Sequence, residues 1–206
     1  MLVMHKSLKL CLEDIKHLMS DGYLPFAAVV RAIPWPLDVK RNENDAEHSF
    51  SLAMVSGAVA SRIGLDPEKT VSFAVLHDFV EVYAGDTSVW DDKGLATKEQ
   101  REAEALEKIK VDFAEFPWIA DTIADYESLK SQEARLVYSL DKLLALLLIM
   151  EAKGHFWKTH KITFEMHDKR RIEVRKKIAK DDLVLSWYDE ATAEVEANKS
   201  AYFYAD

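Results

Sequence analysis

Along most of this chain apolar residues return every three or four positions with polar residues between them, the spacing of a helix with one buried face. Leu8, Leu10, Leu12, Ile15, Leu18 and Met19 give the first such stripe and predict a helix from Ser7 to Ser20, stopped by Asp21-Gly22. The apolar piece from Phe26 to Ile33 reads as a short helix. Pro34-Trp35-Pro36 then breaks the backbone, so the polar stretch to Asn44 reads as an irregular loop. Asp45 looks like an N-cap for a helix from Ala46 to about Ile63, with Gly64 at its C-terminal end. Asp66-Pro67 opens a helix that runs to Gly85. A loop from Asp86 to Ala96 follows, and Thr97 with Gln100 has the spacing of a capping box for a charged helix to about Phe113. Pro117 starts a helix over Trp118–Leu129, and Ser131 opens what reads as the longest helix, closed by Gly154. After a connector at Thr159–Thr163, two amphipathic helices cover Phe164–Lys180 and Asp182–Tyr202.

The expected fold class is therefore all-α, a single-domain helical bundle spanning residues 1–206. Composition agrees: 49% of the 206 residues are hydrophobic, and only 6 Gly and 5 Pro are present. A net charge of -9 argues against a broad nucleic-acid surface, while a small anionic substrate stays open if a metal and a few basic groups dominate locally. Cys11 is the sole cysteine, which fits a reducing, cytoplasmic setting. No signal-peptide pattern opens the sequence, and the longest apolar run, Leu143–Met150, is far short of the ~20 residues a membrane helix needs.

Four side chains are costly for mere packing. His77 and Asp78 stand side by side in an apolar helix, Asp141 sits within the most apolar stretch of the chain, and His48 lies in the first turn of its own helix. Imidazole nitrogens and carboxylate oxygens from facing helices are a mixed donor set for one divalent metal: Mn, Co, Fe, Ni, Zn or Mg. Glu81 falls four residues after His77, on nearly the same face, and Asp86 lies just beyond the helix end. Trp35 reads equally as a ligand contact and as a core plug. The basic run of the penultimate helix could attract phosphate but reads as a solvated face, and His155, His160 and His167 read as surface histidines.

The ordered set Glu43-Asn44-Asp45-Ala46-Glu47-His48-Ser49, then His77-Asp78-Phe79-Val80-Glu81-Val82-Tyr83-Ala84-Gly85-Asp86, then Asp141, resembles the signature of the HD-domain metal-dependent phosphohydrolases. It is closest to their bacterial 5'-deoxynucleotidase branch, whose Trp-Pro-Leu is matched at Trp35-Pro36-Leu37. The similarity covers roughly residues 5–155; the helices at 164–202 add little to it. The resemblance implies that His48, His77, Asp78 and Asp141 bind one metal and that Glu81 activates the attacking water. It also implies that Asp86 assists the leaving group or holds the sugar 3'-hydroxyl, and that Trp35 closes the nucleoside pocket. Pro34 replaces the Arg that precedes this Trp in the branch; Arg31 or Arg41 is the substitute, and Lys93 is a further phosphate contact, one residue out of step. The implied activity is conversion of a deoxynucleoside 5'-monophosphate to deoxynucleoside and phosphate. A dNTP triphosphohydrolase or pyrophosphohydrolase, for example on dATP, is the alternative within the family, and a non-catalytic metal-binding module the alternative outside it. A homodimer is implied by resemblance only.

Overall fold

The computed structural model describes residues 10–204. It is helical apart from one β-hairpin. The Ser7 start expected for the first helix lies outside the described residues. Within them the chain does not stop at Asp21-Gly22. Helix α1 (Leu12–His17) passes through a wide π turn (Leu18–Tyr23) into α2 (Leu24–Ala28). The wider turn absorbs Pro25, which has no N–H to give the ladder. Gly22 does not terminate the helix: it is buried beside the Phe113 and Phe79 rings, which a Cβ there would touch at an ordinary 3.4–3.5 Å.

The region expected to be helix and then loop is a hairpin. Strand β1 (Val30–Trp35) pairs antiparallel with β2 (Asp38–Asn44), Trp35 opposite Asp38 and Val30 opposite Asn44. The register shifts on either side of Pro34, which is how a two-stranded ribbon accommodates a residue that cannot donate.

Helix α3 (Asp45–Ile63) begins one residue earlier than expected. Asn44 is its N-cap, accepting from the Glu47 N–H, while the Glu47 carboxylate accepts from the Asn44 N–H. Gly64, at φ +80°, ends the helix. Helix α4 (Pro67–Leu76), capped by Asp66, is shorter than the sequence reading. After Leu76 the ladder tightens: Phe79 N–H donates to the Leu76 carbonyl and Glu81 N–H to the Asp78 carbonyl, before the short α5 (Glu81–Ala84). The interruption falls on His77-Asp78.

Helix α6 (Asp92–Asp112) starts five residues before Thr97, because Asp91 accepts from Gly94 N–H and caps it there. At 21 residues it slightly exceeds α8 (Gln132–Glu151), at 20, which sequence reading made the longest. Between them lies α7 (Pro117–Glu127), and α8 is followed by a short α9 (His155–Thr159). Helices α10 (Phe164–Lys177), α11 (Asp182–Ala197) and α12 (Lys199–Tyr202) complete the chain.

Helices α3 and α4 pack on each other and both on α8, with α11 against the other side of α8. Leu52, Phe73, Leu136, Leu140, Trp157, Val184 and Val195 belong to one continuous core, and Tyr202 and Phe203 at the C-terminal end pack into it. A second apolar cluster joins Phe26, Phe79, Ile109, Phe113 and Ile123. No helix among the described residues is long and apolar enough to cross a membrane.

Candidate metal centre

The first turn of α3, the tight turn after α4 and the middle of α8 meet at one point. His48 Nε2 lies 3.0 Å from Asp141 Oδ1 and 3.9 Å from Asp78 Oδ2, and His77 Nε2 lies 3.0 Å from Asp78 Oδ2. His48, His77 and Asp78 present donor atoms all within 4.8 Å of one another. The four side chains singled out by cost in the sequence are thus brought together. The tightened turn matters here: at nearly 120° per residue, side chains three apart eclipse, which sets Glu81 on the same face as Asp78.

Each ligand-type atom is held ready. His77 Nδ1 lies 2.9 Å from the Ala74 carbonyl and donates to it, which leaves Nε2 as the free lone pair facing the cluster. Glu43 Oε1 stands 3.6 Å behind His48 Nδ1. Both Nε2 atoms, fully buried, lack a hydrogen-bond partner among the described residues. Orphaned buried imidazole nitrogens facing carboxylates 3–4 Å away fit one dication, whose bonds to such donors are about 2.0–2.2 Å.

Burial and neighbouring charge set the ionisation of the cluster. Burial pushes Glu81 up to about 9, helped by the Asp78 and Asp45 charges, and burial pushes Glu43 and Asp45 up to about 7. Burial also opposes ionisation of Asp78, but the adjacent His77 outweighs it and holds Asp78 well below the usual carboxylate range. Burial lowers His48, whereas the Asp78 charge overcomes burial and raises His77. Asp141 is not a lone carboxylate, as its sequence setting had implied. Lys142 Nζ lies 2.5 Å from it and, with His48, keeps it ionised against the cost of burial.

Of the expected substrate contacts, Arg31 is at the centre. Strand β1 delivers it so that Nη1 donates to Asp78 Oδ2 at 2.7 Å, Nε lies 3.2 Å from Glu43 and Nη2 lies 3.9 Å from Asp141. Arg41 is occupied by a fork to Glu47, at 2.8 and 2.9 Å, on the outside of the hairpin. Trp35 lies under Arg41 at 5.0 Å, half-buried, and does not line the cavity described below. Lys93 is exposed in the first turn of α6; Lys98, one turn further, is the lysine that reaches inward, 3.5 Å from Glu81 Oε1.

A cavity of about 620 Å³ opens over the cluster. Arg31, Asp78, Glu81, Asp86 and Asp141 form its floor, and Trp90, Tyr126, Tyr138 and Trp157 its apolar sides. That size and mixture suit a nucleotide-sized ligand. The sequence reading assigned no role to Glu43, Lys98 or Lys142, and read Asp45 only as a helix N-cap. Glu43 and Asp45 flank the cap of α3, where an acidic residue ordinarily faces solvent, yet both are fully buried. Lys142 could have been found as the neighbour of a costly Asp. His167 is a correction: it is buried against Trp157, with Nε2 unpartnered among the described residues, and is no surface histidine.

The family model described as HD domain matches residues 29–181. The chain belongs to the HD-domain family. The match runs through α10, further than the motifs alone carry the likeness. The chain is similar to the crystal structure of a predicted metal-dependent phosphohydrolase from Magnetospirillum magnetotacticum MS-1, with a TM-score of 0.73 and 25% identity over 93% of this chain and 96% of that one. It is also similar to 5'-deoxynucleotidase HDDC2 of Danio rerio, 29% identical over 108 residues, or 52% of this chain; the chain spans only 54% of that relative's length. These matches bear out the HD-type resemblance, the helical fold class and the metal-dependent hydrolase class read from the motifs.

Proposed function

We propose that this HD-domain protein hydrolyses deoxynucleoside phosphates at the cluster of His48, His77, Asp78 and Asp141, which would hold one divalent cation. The observation that carries the reading is the pair of buried, unpartnered Nε2 atoms aimed at two carboxylates under a nucleotide-sized cavity. The deoxynucleoside 5'-monophosphate is the substrate that the likeness to the curated relative supports.

When bound, the dication supplies Lewis acidity, drawing electron density from phosphoryl oxygens and making water easier to deprotonate. The chain does the rest. Glu81 takes a proton from the attacking water, and its Lys98 neighbour supplies part of the positive charge it needs to ionise. Asp86, half-buried and lining the same cavity, is the group assigned to return a proton to the sugar oxygen. Arg31 meets the phosphoryl oxygens while its ion pairs to Glu43 and Asp78 fix its plane. Glu43 Oε1, 3.6 Å from His48 Nδ1 and beyond hydrogen-bond reach, favours by its charge the tautomer with the proton on Nδ1, which leaves Nε2 free.

The test is phosphate release from deoxynucleoside and ribonucleoside monophosphates by chelated protein reloaded with Mn, Co or Zn. Metal-restored turnover of the deoxy series is expected; full activity in excess chelator would sink the reading. A nucleoside triphosphate is the second reading, favoured by the cationic wall of the same cavity.

A further inference from the structure

The cavity continues along α8 well past the metal centre. Asp141, Ala145 and Ile149 line it at four-residue steps, and at a rise of about 1.5 Å per residue that stripe is about 12 Å long. Beyond the cluster the lining turns apolar. Ile149 of α8 and Phe156 and Trp157 of α9 belong to the main core, and Val174 of α10 and Tyr188 of α11 line the cavity with them. A base joined through its sugar to a phosphate held at Asp141 would lie along this limb.

On that lining His167 has no structural reason to be an imidazole. It is 6% exposed, and its Nε2 has no hydrogen-bond partner among the described residues. The ring packs on Trp157, with 4.6 Å between centres, and on Phe203, at 5.5 Å. Phe or Leu would fill the same space without stranding a nitrogen. Burial pushes the imidazole down to about 4, and the Arg171 charge adds to the fall, so the ring is neutral near pH 7. A neutral imidazole carries one donor and one acceptor, the complement of a nucleobase edge. The neighbouring arginines are already paired. Arg171 gives both Nε and Nη2 to Asp168 Oδ1, at 2.8 and 2.6 Å, and Arg170 meets Glu173 at 2.8 Å and Asp92 at 3.2 Å. Trp35, the base contact that the resemblance implies, does not line the cavity.

We propose that this limb between α8, α9, α10 and α11 is the nucleobase subsite and that His167 reads the edge of the base, an assignment that rests on the phosphohydrolase reading of the metal centre. The phosphate sits at the cluster, the sugar passes Ala145, and the base lies among Ile149, Trp157 and Tyr188 with a polar edge against His167. The aromatic and aliphatic walls hold any flat ring. The hydrogen bond to His167 discriminates, because a ligand with no polar edge leaves a buried nitrogen unanswered.

The test compares dAMP with 2-deoxyribose 5-phosphate, which keeps sugar and phosphate but has no base, on protein reloaded with Mn. The ratio of the two kcat/KM values isolates the contribution of the base and cancels damage common to both substrates. Wild type should favour dAMP by about a hundredfold. His167→Phe should cut that ratio at least tenfold, through KM for dAMP, and His167→Gln, which keeps a donor and an acceptor, should restore part of it. Ala145→Leu, which puts a larger side chain on the stripe, should also cut it. Binding of 2'-deoxyadenosine to chelated protein, followed by Trp fluorescence, should weaken at least tenfold in His167→Phe. A ratio indifferent to both His167→Phe and Ala145→Leu, or one that collapses in Trp35→Ala instead, overturns the subsite and leaves the metal centre standing. Equal binding of 2'-deoxyadenosine by wild type and His167→Phe overturns it as well. A chain that binds 2'-deoxyadenosine through His167 yet hydrolyses neither phosphate retains the subsite and loses the phosphohydrolase reading.

Discussion

Glu81→Gln should make the metal-free protein more stable while stopping the reaction. Glu81 is 2% exposed, and its neighbours include the carboxylates of Asp78 and Asp45, within 4.8 Å. Burial and those charges raise it from 4.5 to about 9 in the folded chain. A carboxyl raised on folding stabilises most when the unfolded chain also keeps its proton, below about pH 4.5. That contribution is lost as pH climbs toward 9, because the unfolded chain ionises and the folded one does not. At pH 7 the gap is about 2.5 pH units, at most ~3.4 kcal/mol at 1.36 kcal/mol per unit. Local relaxation and water entry reduce it to about 2 kcal/mol, or roughly 4–8 °C in Tm for a chain of this size. At pH 5 the same reasoning leaves well under ~1 kcal/mol. Gln carries no charge to bury, so variant and wild type should diverge steadily between pH 5 and pH 8. Thermal and urea melts in chelator at four pH values across that range measure this. With metal, Glu81→Gln should still take up the ion but lose at least ~100-fold in kcat. A stability difference that is flat with pH, or of opposite sign, would refute the electrostatic argument. Near-normal turnover would refute the role as base.

Asp78→Ala should lose bound metal and activity together, seen by metal analysis of the purified variant beside its turnover. Asp141→Ala should cost about 2 kcal/mol in chelator, since Lys142 and His48 lose a buried partner. It should cost a further ~3 kcal/mol at metal 100-fold above Kd, where wild type alone gains the binding energy; equal losses in the two conditions would show that Asp141 is not a ligand. Glu43→Gln should weaken metal binding by about 10–100-fold in competition with a chromophoric chelator, by loosening the His48 ring. Gly154→Ala should destabilise by ~2 kcal/mol or more in melts, because residue 154 is at φ +69° and a Cβ would run into the Tyr202 carbonyl.

By itself the sequence determined most of the helices and singled out the four side chains that meet at the candidate metal centre. Helical periodicity survives translation into three dimensions because a stripe of Leu52, Phe73, Leu136 or Val184 has to be buried somewhere, whatever it packs against. Buried polar residues are likewise conspicuous in one dimension, because the cost of stranding His77, Asp78 or Asp141 among apolar neighbours depends little on the detailed fold. Tertiary structure decided everything that depends on who stands opposite whom. The hairpin was hidden because β1 is short and interrupted by Pro34 while β2 is polar almost throughout, and only their pairing brings Arg31 among the carboxylates. Glu43 and Asp45 look like ordinary cap-region acids until the hairpin and α8 close over them. The α10 cations read as a solvated face because charge along a helix says nothing about what that helix covers. The packing of α10 on α11, which itself packs on α8, turned part of that face toward the cavity, because long-range contacts, not local pattern, choose the neighbours of a surface charge.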